Sequence, residues 1–243
     1  MKKFTISLLL GGLLFAADKY LPKKDVISLL KLLPDSSKII NDYKNGRVNI
    51  YVEKKDGFYI VMLKGERRGQ FFISADKKYA IFGSILDLKK RKPIIGNFPI
   101  NKDIIEKGVA FTYGSGKKTI YLVTDPQCPY CRLLENKKGD ELAKKYTIKV
   151  ILYPLPFHQY AKPMTEYILA GKDNIDKAAR LRRILRGSNE WKNFKPTPQQ
   201  KEKIEKKMEQ MQKAVVELGA RGTPTIYDSN FKQISLRKIY EEK

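Results

Sequence analysis

The only two cysteines in 243 residues stand three apart in Asp125-Pro126-Gln127-Cys128-Pro129-Tyr130-Cys131. Residues i and i+3 on a first helical turn face each other, so two sulfurs at this spacing can approach bonding distance and part again without remodelling the backbone. The chemistry this allows is thiol–disulfide exchange. The run Thr119-Ile-Tyr-Leu-Val123 before the motif is β-branched and aromatic, and a helix is expected from Cys128 onward. That junction puts Cys128 at a helix N-terminus, where unpaired N–H groups and the macrodipole favour a thiolate. A cysteine pKa falls there from about 8.5 into a range of about 3.5–7.5. Cys128 is read as the exposed nucleophile and Cys131, one turn inside, as the resolving thiol that attacks a mixed disulfide. Pro129 pre-sets the helical φ and removes a donor near the sulfurs, so it and Tyr130 tune the thiolate. Two other readings compete. A structural disulfide would close too short a loop to stabilise much, and a metal half-site would need a second copy to complete it.

The elements that must position this motif fall into two halves. Residues 18–90 read as a small α+β unit. Val26, Leu29, Leu30 and Leu33 give one apolar helix face that Pro34 ends. Arg47–Glu53 alternates as a strand, Asp56-Gly57 supplies a hairpin turn and Phe58–Leu63 returns. Gly69–Ser74 and Tyr79–Phe82 make a second pair. Residues 91–111 begin with charge and proline and read as a linker, with a short helix possible between Pro99 and Lys107. From residue 112 the order becomes strand, helix, strand, with Thr147–Leu152 as the second strand. A helical insertion over about 158–219 follows. In it Thr197-Pro198-Gln199-Gln200 is a capping box, and Ile204, Met208, Met211, Val215 and Leu218 line one face until Gly219. Those methionines are read as core filler. Thr225–Tyr227 and Phe231–Ser235 supply two last strands, and Leu236–Glu242 a closing helix.

This is the element order of a thioredoxin-type domain, so the expected fold class is α/β. In such a fold a proline at Gly222-Thr223-Pro224-Thr225 is cis and faces the CxxC, leaving the backbone of Thr223 to pair with an extended substrate. Thr223 and Pro224 are therefore the candidate substrate-binding residues. His158, the only histidine, follows Pro154-Leu-Pro-Phe157 at a strand end and is read as a minor candidate for a general base. Trp191 is expected in the insertion core, and Glu135, one turn past Cys131, is expected to face solvent.

Composition narrows the class further. Hydrophobic content of 42% with 31% charged residues excludes disorder, collagen-like repeats and a multi-span membrane protein. With two Cys and one His, no closed four-ligand zinc site can be built from these residues, so no metal or cofactor is expected beyond the Cys128–Cys131 couple. The net charge of +23 is spread in lysine doublets with no run of five like charges, which reads as a solvated surface and not a nucleic-acid groove. At the start, Lys2-Lys3, the apolar run Ile6–Phe15 and Ala16-Ala17 have the layout of a signal peptide over residues 1–17. Its core is too short to span a bilayer as a helix. The mature chain is expected in a bacterial periplasm, where disulfide chemistry is permitted.

These features together resemble the DsbC/DsbG-type periplasmic protein-disulfide isomerases. The resemblance rests on the signal segment, the strand pattern ending Phe82-Gly-Ser-Ile-Leu-Asp-Leu88, the linker, Asp125–Cys131 and Gly222-Thr-Pro-Thr-Ile-Tyr227. Cys-Pro-Tyr-Cys with Thr before the proline looks more like the DsbG branch. It implies a thioredoxin-like catalytic domain with a helical insertion over residues 112–243, preceded by a cystatin-like dimerisation domain over 18–90. The protein would be a V-shaped homodimer whose clients are misfolded exported proteins. Some members carry a second, structural cysteine pair that this chain lacks. Three functions stay open: an isomerase or reductase supplied with electrons by a membrane partner of the DsbD kind, a dithiol oxidase recharged by a quinone-linked partner, and a non-redox holdase or polyanion binder.

Overall fold

The computed structural model describes residues 19–65 and 68–241; the expected signal segment lies outside them. The chain divides into two compact units that meet in sequence at Pro99 and Ile100.

In the first unit α1 (Lys23–Leu30) and α2 (Ser37–Lys44) precede a meander of β1 (Asn49–Lys55), β2 (Phe58–Lys64), β3 (Arg68–Ser74) and β4 (Ala80–Ile81), all antiparallel and in that order. The hairpin turn between β1 and β2 has Asp56 and Gly57 both at positive φ, 50° and 80°, as a tight two-residue turn requires. Strand alternation sends Ile50, Val52, Val61, Phe71 and Ile73 to one face, where they bury against Val26, Leu29 and Leu30 of α1 and Ile40 of α2. The opposite face carries Ile60, Met62 and Phe72, each fully buried.

What covers that second face corrects the linker expected at 91–111. After the short pair β5 (Leu86–Asp87) and β6 (Lys92–Pro93), Ile94 and Phe98 pack on it. Gln70 clasps this segment, donating to the Ile94 carbonyl at 2.8 Å and accepting from the Gly96 N–H at 2.9 Å. The buried Glu53 carboxylate takes the N–H and side-chain amide of Asn97 at 2.8–3.0 Å. At Gly96 any Cβ would lie 2.4 Å from Met62 Sδ, so only glycine lets the chain pass this close. A sheet apolar on both faces needs two covers, and helices α1 and α2 supply only one.

The second unit opens with α3 (Lys102–Gly108), capped by the Asn101 side chain, which accepts from the N–H groups of Asp103 and Ile104. Its five-stranded sheet runs β11-β10-β8-β9-β7, from β7 (Phe111–Tyr113), β8 (Lys118–Thr124), β9 (Tyr146–Leu152), β10 (Thr225–Asp228) and β11 (Gln233–Ile234). Strands β8 and β9 are parallel and joined by α4 (Pro129–Lys145), giving the expected strand–helix–strand unit. The other pairings are antiparallel. Between β9 and β10 come α5 (Ala161–Leu169), α6 (Asn174–Leu185), a 3₁₀ turn at Glu190–Asn193 and α7 (Pro198–Leu218); α8 (Leu236–Glu241) closes the unit. The capping box at Thr197 and Gln200 is formed, and Gly219 ends α7 at φ 70°. Ile204, Met211, Val215 and Leu218 of α7 are buried and Met208 is half-buried against the same core, which also takes Trp191. No helix of the described residues is long and apolar enough to cross a membrane.

Glu135 overturns its expected place in solvent. It is buried on α4, where its Oε1 accepts from Arg182 Nε of α6 at 2.8 Å and from Arg186, the C-cap of that helix, at 2.7 Å. Arg182 and Arg186 also reach the exposed Asp140, so these two arginines clamp α4. The i to i+7 reach from Cys128 hid this, because the partners lie 47 and 51 residues away. Glu135→Ala is expected to destabilise the protein by about 2 kcal/mol, less than a fully buried pair because Arg186 is close to half exposed. A urea midpoint equal to that of the native protein would show the clamp to be idle.

Candidate active site

Strand β8 delivers Thr124 and Asp125 into the core, and the chain then turns through Pro126 and Gln127 into α4, with Cys128 as its N-cap and Pro129 in its first turn. The turn is closed by the Cys128 N–H donating to the Asp125 carbonyl at 3.1 Å. Both cysteines are free thiols. Cys131 is 2% exposed and faces inward as expected, but Cys128 is only 4% exposed, which corrects its reading as an exposed nucleophile. Its neighbours, not depth in the core, cover it. The segment before β10 contributes the cis Thr223–Pro224 peptide, and Cys128 Sγ donates to the Thr223 carbonyl at 3.4 Å. Tyr130, between the cysteines, is 69% exposed. Structure thus brings Cys128, Pro129, Tyr130, Cys131, Thr223 and Pro224 into one site.

The two sulfurs are pushed in opposite directions. Cys128 is drawn down from its usual value near 9 to about 5, chiefly by a hydrogen bond from the Cys131 thiol. The N–H groups of Cys131 and Tyr130 at the helix start add to this, outweighing burial. The Thr223 hydroxyl makes no well-formed hydrogen bond, yet its dipole against the sulfur also favours the charge. Cys131 is pushed well above the ordinary thiol range, first by burial and then by its bond to Cys128. The Asp125 N–H donates to Cys131 Sγ at 3.5 Å. One sulfur is ready to attack at neutral pH and the other is held protonated in reserve.

The pH consequence has a definite sign. A folded-state pKa below the unfolded one stabilises the reduced protein above the unfolded value near 9, and that contribution is lost as pH falls through about 5. The stability difference between the reduced native protein and Cys128→Ser is therefore expected to shrink as urea titrations move from pH 9 to pH 4. Thiolate absorbance should titrate with a midpoint near 5 in the native protein and vanish from that range in Cys128→Ser. A midpoint near 8.5 would refute the picture.

Asp125 carries more of the site than its place in the motif suggested. Its side chain is fully buried and accepts three hydrogen bonds: from the Gln127 N–H at 2.7 Å, from the Leu155 N–H at 2.8 Å, and from His158 Nδ1 at 2.8 Å. A carboxylate can only accept, so it fixes the imidazole proton on Nδ1. His158 lies outside the CxxC and stands behind Asp125, hydrogen-bonded to its carboxylate and not to either sulfur. No spacing in the sequence announces this contact, because His158 lies six residues past the end of β9 and a turn closed by its N–H on the Leu155 carbonyl carries it back to Asp125. The Tyr160 N–H donates to Gln127 Oε1 at 2.6 Å, so residues 155–160 are fastened to the CxxC turn from both sides. Among the described residues no three of His, Cys, Asp and Glu converge as a metal site would need.

Residues 110–230 match the family model of a thioredoxin-like domain. No curated protein sequence matches the chain. Among solved structures it is similar to DsbG of Helicobacter pylori, with 15% identity over 76% of this chain and 96% of that one and a TM-score of 0.40. It is similar also to the thiol-disulfide exchange protein α-DsbA2 of Wolbachia pipientis (19% identity, 58% of this chain and 90% of that one, TM-score 0.43). A disulfide interchange protein of Neisseria gonorrhoeae shares 20% identity over 57% of this chain and 99% of that one, with a TM-score of 0.40. Residues 110–230 thus match a thioredoxin-like domain, and the two thiols of the chain lie within that match, at the start of α4.

Proposed function

We propose that the chain isomerises or reduces non-native disulfides in exported proteins. The observation that carries the exchange chemistry is geometric: two free thiols one helical turn apart at the start of α4, with the cis Thr223–Pro224 peptide against Cys128. The Cys128 thiolate attacks one sulfur of a client disulfide, forming a mixed disulfide while the other client sulfur leaves as a thiolate. In isomerisation a client thiolate then attacks the client sulfur of the mixed bond and returns Cys128. In reduction Cys131 gives up its proton and attacks Cys128 Sγ, so the client leaves with two thiols and the Cys128–Cys131 disulfide holds the oxidising equivalents. A membrane thiol reductant of the DsbD kind would restore the dithiol. Thr223 supports the client's extended backbone beside the attacking sulfur.

The periplasm is the expected setting, and a second copy the expected partner of the first unit. Tyr79, Phe82, Leu86, Leu88 and Ile95 of that unit are more than half exposed, an apolar patch that dimerisation would cover. Sedimentation of the full chain at monomer mass would remove this part of the reading.

One observation favours a second direction of flow. A stabilised thiolate stabilises the reduced form, which makes the Cys128–Cys131 disulfide a ready donor, as a dithiol oxidase needs. Trapping the thiols in cells by alkylation separates the two. Cys128 and Cys131 should be found reduced for an isomerase or reductase; a mainly oxidised pair would mean an oxidase recharged by a quinone-linked partner. If the client effect survived loss of both cysteines, a holdase would be the better reading.

A further inference from the structure

Exposed apolar surface on the second unit is concentrated near the dithiol. Its large apolar side chains that remain exposed are Ile100, Tyr130, Leu133, Phe157, Tyr160 and Ile175. Tyr130 and Leu133 belong to the start of α4, and Phe157 and Tyr160 to the segment fastened against it. Phe157 is 76% exposed, with its ring edge-on to His158 at 4.6 Å. Contacts then lead without a gap from that ring to the nucleophile: His158 Nδ1 to Asp125 at 2.8 Å, and the Asp125 carbonyl to the Cys128 N–H at 3.1 Å.

Leu155 is buried and the Tyr160 ring lies 5.5 Å from that of Trp191. Three hydrogen bonds then fix the segment to the dithiol, Leu155 N–H and His158 Nδ1 on Asp125 Oδ2 and Tyr160 N–H on Gln127 Oε1, and all three end on the CxxC turn. Leu155 and His158 also line a cleft of about 490 Å³, with Pro154, Pro156 and Met208 among its apolar walls and Lys162 and Glu209 its charged groups. An open aromatic costs solvation that burying it would recover, and a loop tied to the reacting turn at three points keeps that aromatic at a fixed distance from the sulfur.

We propose that residues 155–160 form a selectivity lip that takes an apolar, preferably aromatic, side chain next to the reacting cysteine of an extended client polypeptide, and that His158 is the positioning residue holding the lip to the dithiol turn. This rests on the exchange reading above. Backbone pairing at Thr223 supplies register, and the lip with the exposed Tyr130 ring supplies side-chain preference. Disulfides that are surrounded by apolar sequence, and hence buried in correctly folded proteins, would be engaged only when misfolding exposes them.

The test uses the full chain and two quenched disulfide peptides that differ only in Phe or Ser beside the cysteine, with glutathione disulfide as a third substrate. The native protein is expected to prefer the Phe peptide by about tenfold in kcat/KM, mostly through KM. Phe157→Ser should bring that ratio close to one. His158→Ala should lower the ratio with Phe157 still present, and His158→Asn, whose amide can still donate to Asp125, should restore it. Equal rates on the two peptides, a ratio unchanged in Phe157→Ser, or a His158→Ala that slows both peptides alike would overturn the lip. Failure to react with either peptide or with glutathione disulfide would overturn the exchange reading itself.

Discussion

Cys131→Ser protein mixed with a disulfide-bonded client is expected to accumulate a Cys128–client mixed disulfide that survives non-reducing electrophoresis and disappears with dithiothreitol. The attack needs only the Cys128 thiolate, the form favoured at neutral pH with the pKa drawn down toward 5. Release needs a second sulfur. Cys131, 2% exposed and pushed up by burial, is the only other thiol in the chain, and a serine in its place cannot break the mixed bond. Cys131 also donates the hydrogen bond that does most to lower the Cys128 pKa, so Cys131→Ser should trap somewhat more slowly than the native protein attacks. Cys128→Ser should trap nothing and lose client turnover by roughly a thousandfold or more. If Cys128→Ser still reduced or rearranged a client, the assignment of the nucleophile would be wrong.

The second large effect belongs to Asp125→Ala. It leaves the N–H groups of Gln127 and Leu155 without acceptors and His158 without its partner, in a place where the carboxylate was fully out of water. Each orphaned buried donor costs on the order of 1–3 kcal/mol. Because these costs overlap, a net loss of about 3–4 kcal/mol is expected. Exchange should fall at least tenfold as well, since the same residue's peptide groups face both cysteines. Asp125→Asn, with the same shape but an amide to turn toward two N–H donors, should fall between the two in both urea midpoint and rate. Native-like values for Asp125→Ala would mean that the turn is held by packing alone.

Much of this site was legible in the sequence because its parts are local. The CxxC, the helix it caps and the strand before it lie within 118 to 145, and spacing alone places Cys128 at the N-cap and Cys131 inward. Helix α7 was legible from both ends, through Thr197 and Gln200 at one and Gly219 at the other. Long-range pairing was not. Glu135 looked like any acid on a charged helix until α6 brought Arg182 and Arg186 across to it. His158 was not legible, since the turn after β9 through Leu155, and no regular spacing, sets it behind Asp125. Residues 92–99 carry charge, proline and glycine like a connector, yet the second apolar face of the first sheet, at Ile60, Met62 and Phe72, has to be covered and this segment covers it. Helix α2 and strand β7 were too short or too polar to announce themselves by periodicity.

Beside the hydrogen bond between the two sulfurs, several polar contacts that meet them come from peptide groups: the Thr223 carbonyl on Cys128, the Asp125 N–H on Cys131, and the N–H groups of Tyr130 and Cys131 at the helix start. A point mutation replaces a side chain but cannot delete a carbonyl. As long as the chain keeps its path, that peptide share of the dithiol's setting is therefore inherited with the fold, while Tyr130 and Phe157, both facing outward, are free to drift. Descendants of this sequence could change their clientele many times over without relearning the reaction.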